Sequence, residues 1–289
     1  MEYKILSNGV KMPVLGYGVY QVTKEECERC VLDALKAGYR SLDTAQSYNN
    51  EEEVGIAVEK SGVPREELFI TSKVWIENYG YDQCRKSVED SLKKLRTDYI
   101  DLMLLHQPFS DYYGAWRALE DMYEEGLIRA IGVSNFYPDR LVDLCRYARI
   151  APMVNQVETH PHNQQTEAKR WMEKYNVAHE AWAPFGEGRN GLFEEPVLSE
   201  IGKKYNKTPA QVILRWHIQR DTIVIPKSTH YDRMVQNFNI FDFVLSGDDM
   251  KKISGLDREE SSFFDHYDPG TVEMIADLVE QRRKNKEKK

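Results

Sequence analysis

Short apolar runs alternate along the chain with longer segments in which apolar residues recur at helical spacing. Eight of the runs have the length and composition of β-strands. They are Val14–Val19, Ser41–Thr44, Leu68–Val74, Ile100–His106, Ile128–Ser134, Met153–Glu158, Val177–Ala183 and Thr222–Lys227. The segment "YKILSNGVKMPVLG" predicts an opening hairpin, because Asn8-Gly9 suits a type I′ turn.

Ten further segments have the apolar periodicity of helices. They are Lys24–Ala37, Glu51–Lys60, Asp82–Leu95, Asp111–Glu125, Pro138–Arg149, Gln165–Tyr175, Glu195–Tyr205, Pro209–Arg220, Asp232–Asn237 and Gly247–Ser254. The last two predict extra helices after the final strand. We expect the charged tail, "LVEQRRKNKEKK", to be a solvated helix end that frays.

This alternation predicts an α/β protein in which eight parallel strands close into a (β/α)8 TIM barrel. An open, doubly wound sheet is the competing architecture, and it usually has fewer strands and a glycine-rich first βα turn. The segment "GYGVYQV" lacks that G-x-G-x-x-G pattern. No linker or shift in composition divides the chain, so we expect one domain over residues 1–289.

Composition and charge restrict the possible partners. The 47 acidic residues outnumber the 39 basic ones and give a net charge of −8, which argues against binding to nucleic acid or membranes. The N-terminus lacks the pattern of a signal peptide, and no apolar run reaches the ~18 residues of a membrane span, so we expect a cytoplasmic protein. A monomer is favoured, with a dimer as the alternative.

We expect no bound metal. Cys27 and Cys30 form a C-x-x-C motif, but both fall on the apolar face of a predicted helix, and no second pair of ligands has metal-binding spacing. His160 and His162 in "THPH" lack an evident third ligand, which favours a structural loop.

Several polar residues come at the ends of predicted strands, where the active-site loops of a barrel meet. Asp43 ends the second strand, and Tyr48 follows five residues later. Lys73 lies near the end of the third strand, and His106 ends the fourth. Each residue alone has an ordinary explanation as a turn residue, a snorkelling lysine or a core histidine. Adjacent strands, however, bring all four to one end of the barrel.

These four side chains form a coherent acid–base group. A phenol has a pKa near ~10, and a nearby ammonium lowers that pKa by favouring the phenolate. Asp43 can supply the counter-charge that a buried Lys73 needs. With a hydrogen bond from a neutral His106, the group can protonate an alkoxide that develops from a carbonyl. The hydride has to come from elsewhere, which implies a nicotinamide cofactor.

Three long motifs resemble the signatures of the aldo-keto reductase family. They are "LDTAQSYNNEEEVG", "IRAIGVSNF" with "VNQVETHPH", and "IVIPKSTHYDRMVQN" followed by "FDFVLSGDDM". Their order matches the family along essentially the whole chain. Trp182 stands where many members have a tyrosine, which resembles the bacterial branch that reduces diketo-gluconate, glyoxal and methylglyoxal.

The resemblance implies a barrel plugged at one end by the N-terminal hairpin. It also implies that Tyr48 is the general acid in reduction and the base in oxidation. Lys73 and Asp43 would tune Tyr48, and His106 would orient and polarise the carbonyl.

The cofactor implied by the resemblance is NADPH, extended over the strand ends. The positions for the nicotinamide are Ser134, Asn135, Gln156 and Trp182, and those for the adenine are Gln236 and Asn237. A 2′-phosphate needs cationic donors, and a helix start favours it further. The residues that offer these features are Lys227, Ser228, Thr229 and Arg233, so we predict NADPH rather than NADH.

Two departures from the family affect the predicted pocket. Many members have a tryptophan after the catalytic histidine, where this chain has Gln107. Ala183 stands where some members have a serine that contacts the pyrophosphate. We expect the substrate to be lined by Tyr20, Trp75, His106, Gln107 and Phe109.

The favoured function is therefore the NADPH-dependent reduction of small aldehydes and ketones. One alternative is a redox-sensing subunit that binds NADPH and a partner protein without significant turnover. A second is a Schiff-base aldolase that uses Lys73, although it leaves Tyr48, His106 and the cofactor motif unexplained.

Overall fold

The computed structural model describes residues 2–287, with side chains up to residue 284. A two-stranded hairpin, β1 (Tyr3–Ile5) and β2 (Lys11–Pro13), precedes eight parallel strands. The eight are β3 (Tyr17–Gly18), β4 (Ser41–Asp43), β5 (Phe69–Val74), β6 (Leu102–Leu105), β7 (Ile131–Ser134), β8 (Val154–Glu158), β9 (Ala178–Trp182) and β10 (Thr222–Val224). Each coincides with a predicted strand but is shorter, because the ladder of hydrogen bonds ends before the apolar run does.

The eight strands hydrogen-bond in chain order from β3 to β10. The first and last strands then meet, since the Gly16 N–H donates to the Val224 carbonyl at 2.8 Å and the Val224 N–H donates to the Val14 carbonyl at 3.0 Å. These bonds close the sheet. The predicted (β/α)8 barrel is confirmed, and the carboxyl ends of all eight strands share one end of it, which we call the mouth.

The helices follow the strands as predicted. They are α1 (Lys24–Ala37), α2 (Glu51–Ser61), α3 (Tyr81–Leu95), α4 (Tyr112–Glu124), α5 (Pro138–Tyr147), α6 (Thr166–Lys174), α7 (Pro196–Tyr205), α8 (Pro209–Gln219), α9 (Tyr231–Phe238), α10 (Gly247–Ser254) and α11 (Pro269–Glu287). Short 3₁₀ segments occur at Gln46–Tyr48, Arg65–Glu67, Ile76–Asn78 and Gly186–Glu194. Thr208 begins α8 with a capping box, because its hydroxyl accepts from the Gln211 N–H and the Gln211 side chain accepts from the Thr208 N–H.

The predicted helix end is part of the 19-residue helix α11, which the structure describes up to Glu287. Most of the side chains described between Leu278 and Lys284 are exposed, as expected for a solvated helix end. Ile275 and Val279, one turn apart, are buried in the main core and pack this helix against the barrel. None of the described helices is long and apolar enough to cross a membrane.

The N-terminal hairpin is present, but its predicted type I′ turn is wrong. That turn needs positive φ at both central residues, whereas only Gly9 has one, at 87°. Asn8 instead uses its side chain, accepting from the Val10 N–H at 3.2 Å and donating to the Arg129 carbonyl at 2.9 Å. Because Arg129 precedes β7, this second bond fixes the hairpin across the end of the barrel opposite the mouth.

Candidate active site

A buried ammonium lies at the centre of the mouth. Lys73 on β5 is fully buried, and its Nζ donates to Asp43 Oδ1 at 2.6 Å and to the Thr44 carbonyl at 3.0 Å. It also lies 3.4 Å from the Tyr48 hydroxyl. The structure thus brings together three residues that the sequence predicted to act as a group.

The loop after β4 holds Tyr48 in place through two side-chain amides, one of the buried Asn50 and one of the half-buried Gln46. Asn50 accepts from the Thr44 hydroxyl at 2.8 Å and donates to the carbonyls of Val19 and Val22. Gln46 accepts from the Trp75 N–H at 2.9 Å. Because these bonds connect the loop to neighbouring strands and loops, the single 3₁₀ turn that ends in Tyr48 is fixed at both ends.

Burial dominates the electrostatics of Tyr48. It raises the pKa of Tyr48 to about 12, although the charge of Lys73 acts in the opposite direction. Lys73 lowers the pKa of this phenol as predicted, but desolvation outweighs the ammonium, so the net pKa is raised. Burial also acts to lower the pKa of Lys73, but Asp43 and Tyr48 more than compensate, so its pKa is raised and it stays charged.

His106, directly after β6, completes the predicted group. Its ring centroid lies 5.7 Å from that of Tyr48 and 5.2 Å from that of Trp75. Burial, reinforced by the charge of Lys73, lowers its pKa well below 6.5, so the imidazole is neutral at neutral pH. The Ser47 hydroxyl lies 3.4 Å from Nδ1, and if it donates there the ring proton is on Nε2.

The four residues predicted to contact the nicotinamide form one connected network. Ser134 donates to the Gln156 carbonyl at 2.9 Å, and Asn135 donates to the Ser134 hydroxyl at 3.1 Å. The Trp182 indole N–H donates to Asn135 Oδ1 at 2.8 Å. Asn135 has a φ of 64°, a conformation that asparagine tolerates better than most residues. The Trp182 ring packs 5.1 Å from Phe263, a contact that the sequence did not predict.

Glu180 on β9 was missed by the sequence analysis. Gln156 Nε2 donates to Asp43 Oδ2 and to Glu180 Oε2, both at 2.9 Å. Burial first, and then the charge of Asp43, raise the pKa of Glu180 from its ordinary 4.5 to about 8. The available signal was an acid within the apolar run "VAHEAWA". With Gln156 Nε2 committed to two carboxyl groups, its Oε1 is left as the acceptor for another donor.

The predicted phosphate-binding residues lie around the start of α9. Lys227 and Arg233 are exposed, and neither is ion-paired with any described side chain. Ser228 is buried, and its carbonyl accepts from the Tyr17 hydroxyl at 2.6 Å. The Thr229 carbonyl accepts from Arg29 at 3.3 Å. Two free cations beside a helix start fit an anionic group, with Asp232 the one acid in the first turn.

The remaining two cofactor positions lie further along α9. Asn237 is buried, and Gln236 is exposed with its carbonyl bonded to Gln211.

The predicted substrate residues surround the same mouth. The half-exposed Tyr20 ring lies 4.9 Å from the Tyr48 ring. The Phe109 ring stacks on the His266 ring, with 5.9 Å between the two ring centroids. The amide oxygen of Gln107 is already engaged, because Oε1 lies 3.0 Å from His266 Nε2. Burial lowers the pKa of His266 to about 4, so this ring is neutral and can donate that bond.

The motifs interpreted as structural have structural contacts. Cys27 and Cys30 are free, buried thiols on α1. His160 lies 2.9 Å from Glu158 within a buried loop. Over the part of the chain that is described, no cluster of His, Cys, Asp or Glu could hold a metal ion.

Comparisons with known proteins agree with this geometry. Residues 12–258 match the Aldo/keto reductase family. The chain is 49% identical to a glyoxal reductase of Bacillus subtilis over 257 residues. These residues make up 88% of this chain and 92% of that protein. It is 42% identical over 256 residues to the methylglyoxal reductase DkgA of Escherichia coli, again covering 88% and 92%.

Solved structures give the same result. An aldo-keto reductase from a deep-sea metagenome has a TM-score of 0.89 and 41% identity, covering 92% of this chain and 98% of that one. A Bombyx mori aldo-keto reductase, solved in complex with NADP, has a TM-score of 0.87 and 33% identity, covering 91% and 95%.

The chain belongs to the aldo/keto reductase family. It is an oxidoreductase that acts on carbonyl groups, which confirms the predicted class of enzyme. The cofactor predicted from the sequence, NADP(H), is the one that this family uses.

Glu180 predicts a pH dependence of stability. Between pH 4.5 and about 8 the folded state keeps the proton of Glu180 while the unfolded chain loses it. The folded state then binds more protons, so its stability falls as pH rises, by at most about 1.4 kcal/mol per pH unit. Urea unfolding from pH 5 to 8 should therefore show wild type losing stability relative to Glu180→Gln, which cannot titrate. The control is Glu200→Gln, which removes an exposed acid and keeps Glu180, so its stability should fall with pH as that of wild type does. Parallel profiles for wild type and Glu180→Gln would contradict the assignment.

Proposed function

We propose that this enzyme reduces small aldehydes and ketones to alcohols with NADPH, and that Tyr48 is the general acid. The observation that carries the proposal is the position of Lys73 Nζ, 2.6 Å from Asp43 and 3.4 Å from the Tyr48 hydroxyl, beside a neutral His106.

The properties of each residue support its role in this reaction. A Tyr48 pKa of about 12 keeps the phenol protonated at neutral pH, so it has a proton to donate. Lys73 stabilises the phenolate that remains after the proton has left, and Asp43 compensates the buried ammonium. The neutral His106 donates its N–H to the carbonyl oxygen and orients it. In the reverse direction, the Tyr48 phenolate accepts the proton of the alcohol.

The cofactor supplies the hydride when it is bound. Ser134, Asn135 and Gln156 would hold the nicotinamide carboxamide, and Trp182 would stack on the ring. The free Oε1 of Gln156 suits the N–H donors of a carboxamide, since its Nε2 is already bonded to Asp43 and Glu180.

The 2′-phosphate and adenine would lie at α9. Lys227, Ser228, Thr229 and Arg233 would hold the phosphate, with the adenine against Gln236 and Asn237. The unpaired Lys227 and Arg233 support this assignment, because a dianionic phosphate gains most from cations that have no other partner.

The names of two relatives point to small dicarbonyls as substrates, since one is called a glyoxal reductase and the other a methylglyoxal reductase. We propose the same class here, with Tyr20, Trp75, Gln107 and Phe109 around it. A single domain over residues 1–289, a monomeric state and a cytoplasmic location stay predictions.

Tyr48→Phe should reduce the rate of methylglyoxal reduction by about a thousandfold or more, because it removes the proton donor. NADPH should still bind with a Kd within about threefold, measured by quenching of tryptophan fluorescence. Tyr147→Phe makes the same change on an exposed ring of α5 and should retain the wild-type rate within about threefold. Full activity in Tyr48→Phe would contradict the proposal that Tyr48 is the general acid.

Two alternatives have distinct outcomes. A Schiff-base aldolase needs a neutral amine, whereas Lys73 is charged and paired with Asp43, which counts against it. Covalent trapping of a carbonyl substrate on Lys73 by borohydride would favour the aldolase. A redox-sensing subunit would bind NADPH and show no steady-state turnover with methylglyoxal.

Arg233→Ala should raise the KM for NADPH by about tenfold or more and leave the KM for NADH within about twofold, because only NADPH carries the 2′-phosphate. The control is Arg117→Ala, on the exposed face of α4 far from α9 in sequence. It should leave both KM values unchanged. An equal rise for the two cofactors in Arg233→Ala would contradict the assignment.

A further inference from the structure

The segment after residue 258, where the family match ends, brings its own side chains to the mouth. His266 bonds to Gln107 and stacks on Phe109. Helix α11 follows, with Ile275 and Val279 buried against the barrel. The walls of the substrate pocket are therefore partly built by residues that lie outside the matched region.

Arg282, near the end of α11, lies over the Trp75 indole, with the guanidinium carbon 5.1 Å from the ring centroid. The same indole also contacts His106, whose ring centroid is 5.2 Å from that of Trp75. The guanidinium and the imidazole that is proposed to hold the carbonyl thus share one aromatic neighbour. The charge of Arg282 is also among the influences that lower the pKa of His106, after burial and Lys73.

The positive charge of Arg282 is not compensated by the protein side chains described. Within residues 2–284, Arg282 forms no ion pair and no hydrogen bond, and its guanidinium lies over Trp75. Lys73, the buried cation at the centre of the mouth, is in contrast bonded to Asp43. A partly buried guanidinium beside an aromatic wall gains most from an anion that brings two acceptor oxygens.

We propose that Arg282 binds a carboxylate on the carbonyl substrate, so that the enzyme prefers carboxylate-bearing aldehydes and ketones over neutral ones of equal size. This inference rests on the proposed function. The cation–π contact with Trp75 restricts the guanidinium before the ligand arrives, which reduces the entropy lost on binding. Because Arg282 and His106 both contact the Trp75 indole and are not hydrogen-bonded to each other, the carboxylate is placed several bonds from the carbonyl, as in a para-substituted benzaldehyde, and not on the adjacent carbon.

The test compares 4-carboxybenzaldehyde with 4-nitrobenzaldehyde, which are similar in size and differ in charge. In Arg282→Met, kcat/KM with NADPH should fall by about tenfold or more for the carboxylate and stay within about threefold for the nitro compound. Arg282→Glu should lower the carboxylate value further. The control is Arg283→Met. Arg283 is the next residue of the same helix, is exposed, and points about 100° away from Arg282 around the helix axis. This variant should change kcat/KM for either aldehyde by no more than about twofold.

Other outcomes would overturn the inference. An equal loss with both aldehydes would mean that Arg282 acts through the packing of Trp75, and an unchanged ratio would mean that it does not reach the substrate. Calorimetry with 4-carboxybenzyl alcohol on the NADP⁺-loaded protein decides the matter without turnover. Wild type should bind it about tenfold more tightly than Arg282→Met does; equal affinities would contradict the carboxylate site. If neither aldehyde is turned over but wild type still binds 4-carboxybenzyl alcohol more tightly than Arg282→Met does, the proposed function is contradicted and the carboxylate site is not.

Discussion

The site depends on one fully buried ammonium. Lys73 has no access to water, so its charge must be compensated by neighbouring groups. Asp43 at 2.6 Å and the Thr44 carbonyl at 3.0 Å provide that compensation from the end of the adjacent strand. The Tyr48 hydroxyl is the third polar atom near Nζ. The barrel supplies this arrangement, because its parallel strands place their carboxyl ends, and the loops that follow them, at one end of the sheet.

The same carboxylate connects the acid–base group to the cofactor side of the mouth. Asp43 Oδ1 accepts from Lys73, and Oδ2 accepts from the Gln156 amide, which also donates to Glu180. The amide orientation of Gln156 is therefore set by two carboxyl groups. A change at either acid would alter both the phenol and the residue proposed to hold the nicotinamide carboxamide.

Most of the fold could be predicted from the sequence, because apolar runs of strand length alternate with helical periodicity over the whole chain. The positions of Asp43, Lys73 and His106 followed from the rule that strand ends meet. The hairpin turn was mispredicted because Asn8-Gly9 suits more than one turn, and the bond from Asn8 to the distant Arg129 decides between them. The net pKa of Tyr48 depends on how completely the fold buries it, which a motif does not encode. Glu180 and Arg282 were missed for a related reason: their significance comes from partners far away in sequence.

The central claim is that Lys73 acts on Tyr48 by stabilising its phenolate. The most direct measurement is the pH profile of kcat/KM for alcohol oxidation, which needs Tyr48 as a base, in wild type and in Lys73→Met. In wild type the value should rise with pH across the alkaline range. In Lys73→Met the same rise should move to higher pH, because the phenolate has lost its cation. Coincident profiles for the two proteins would contradict the account.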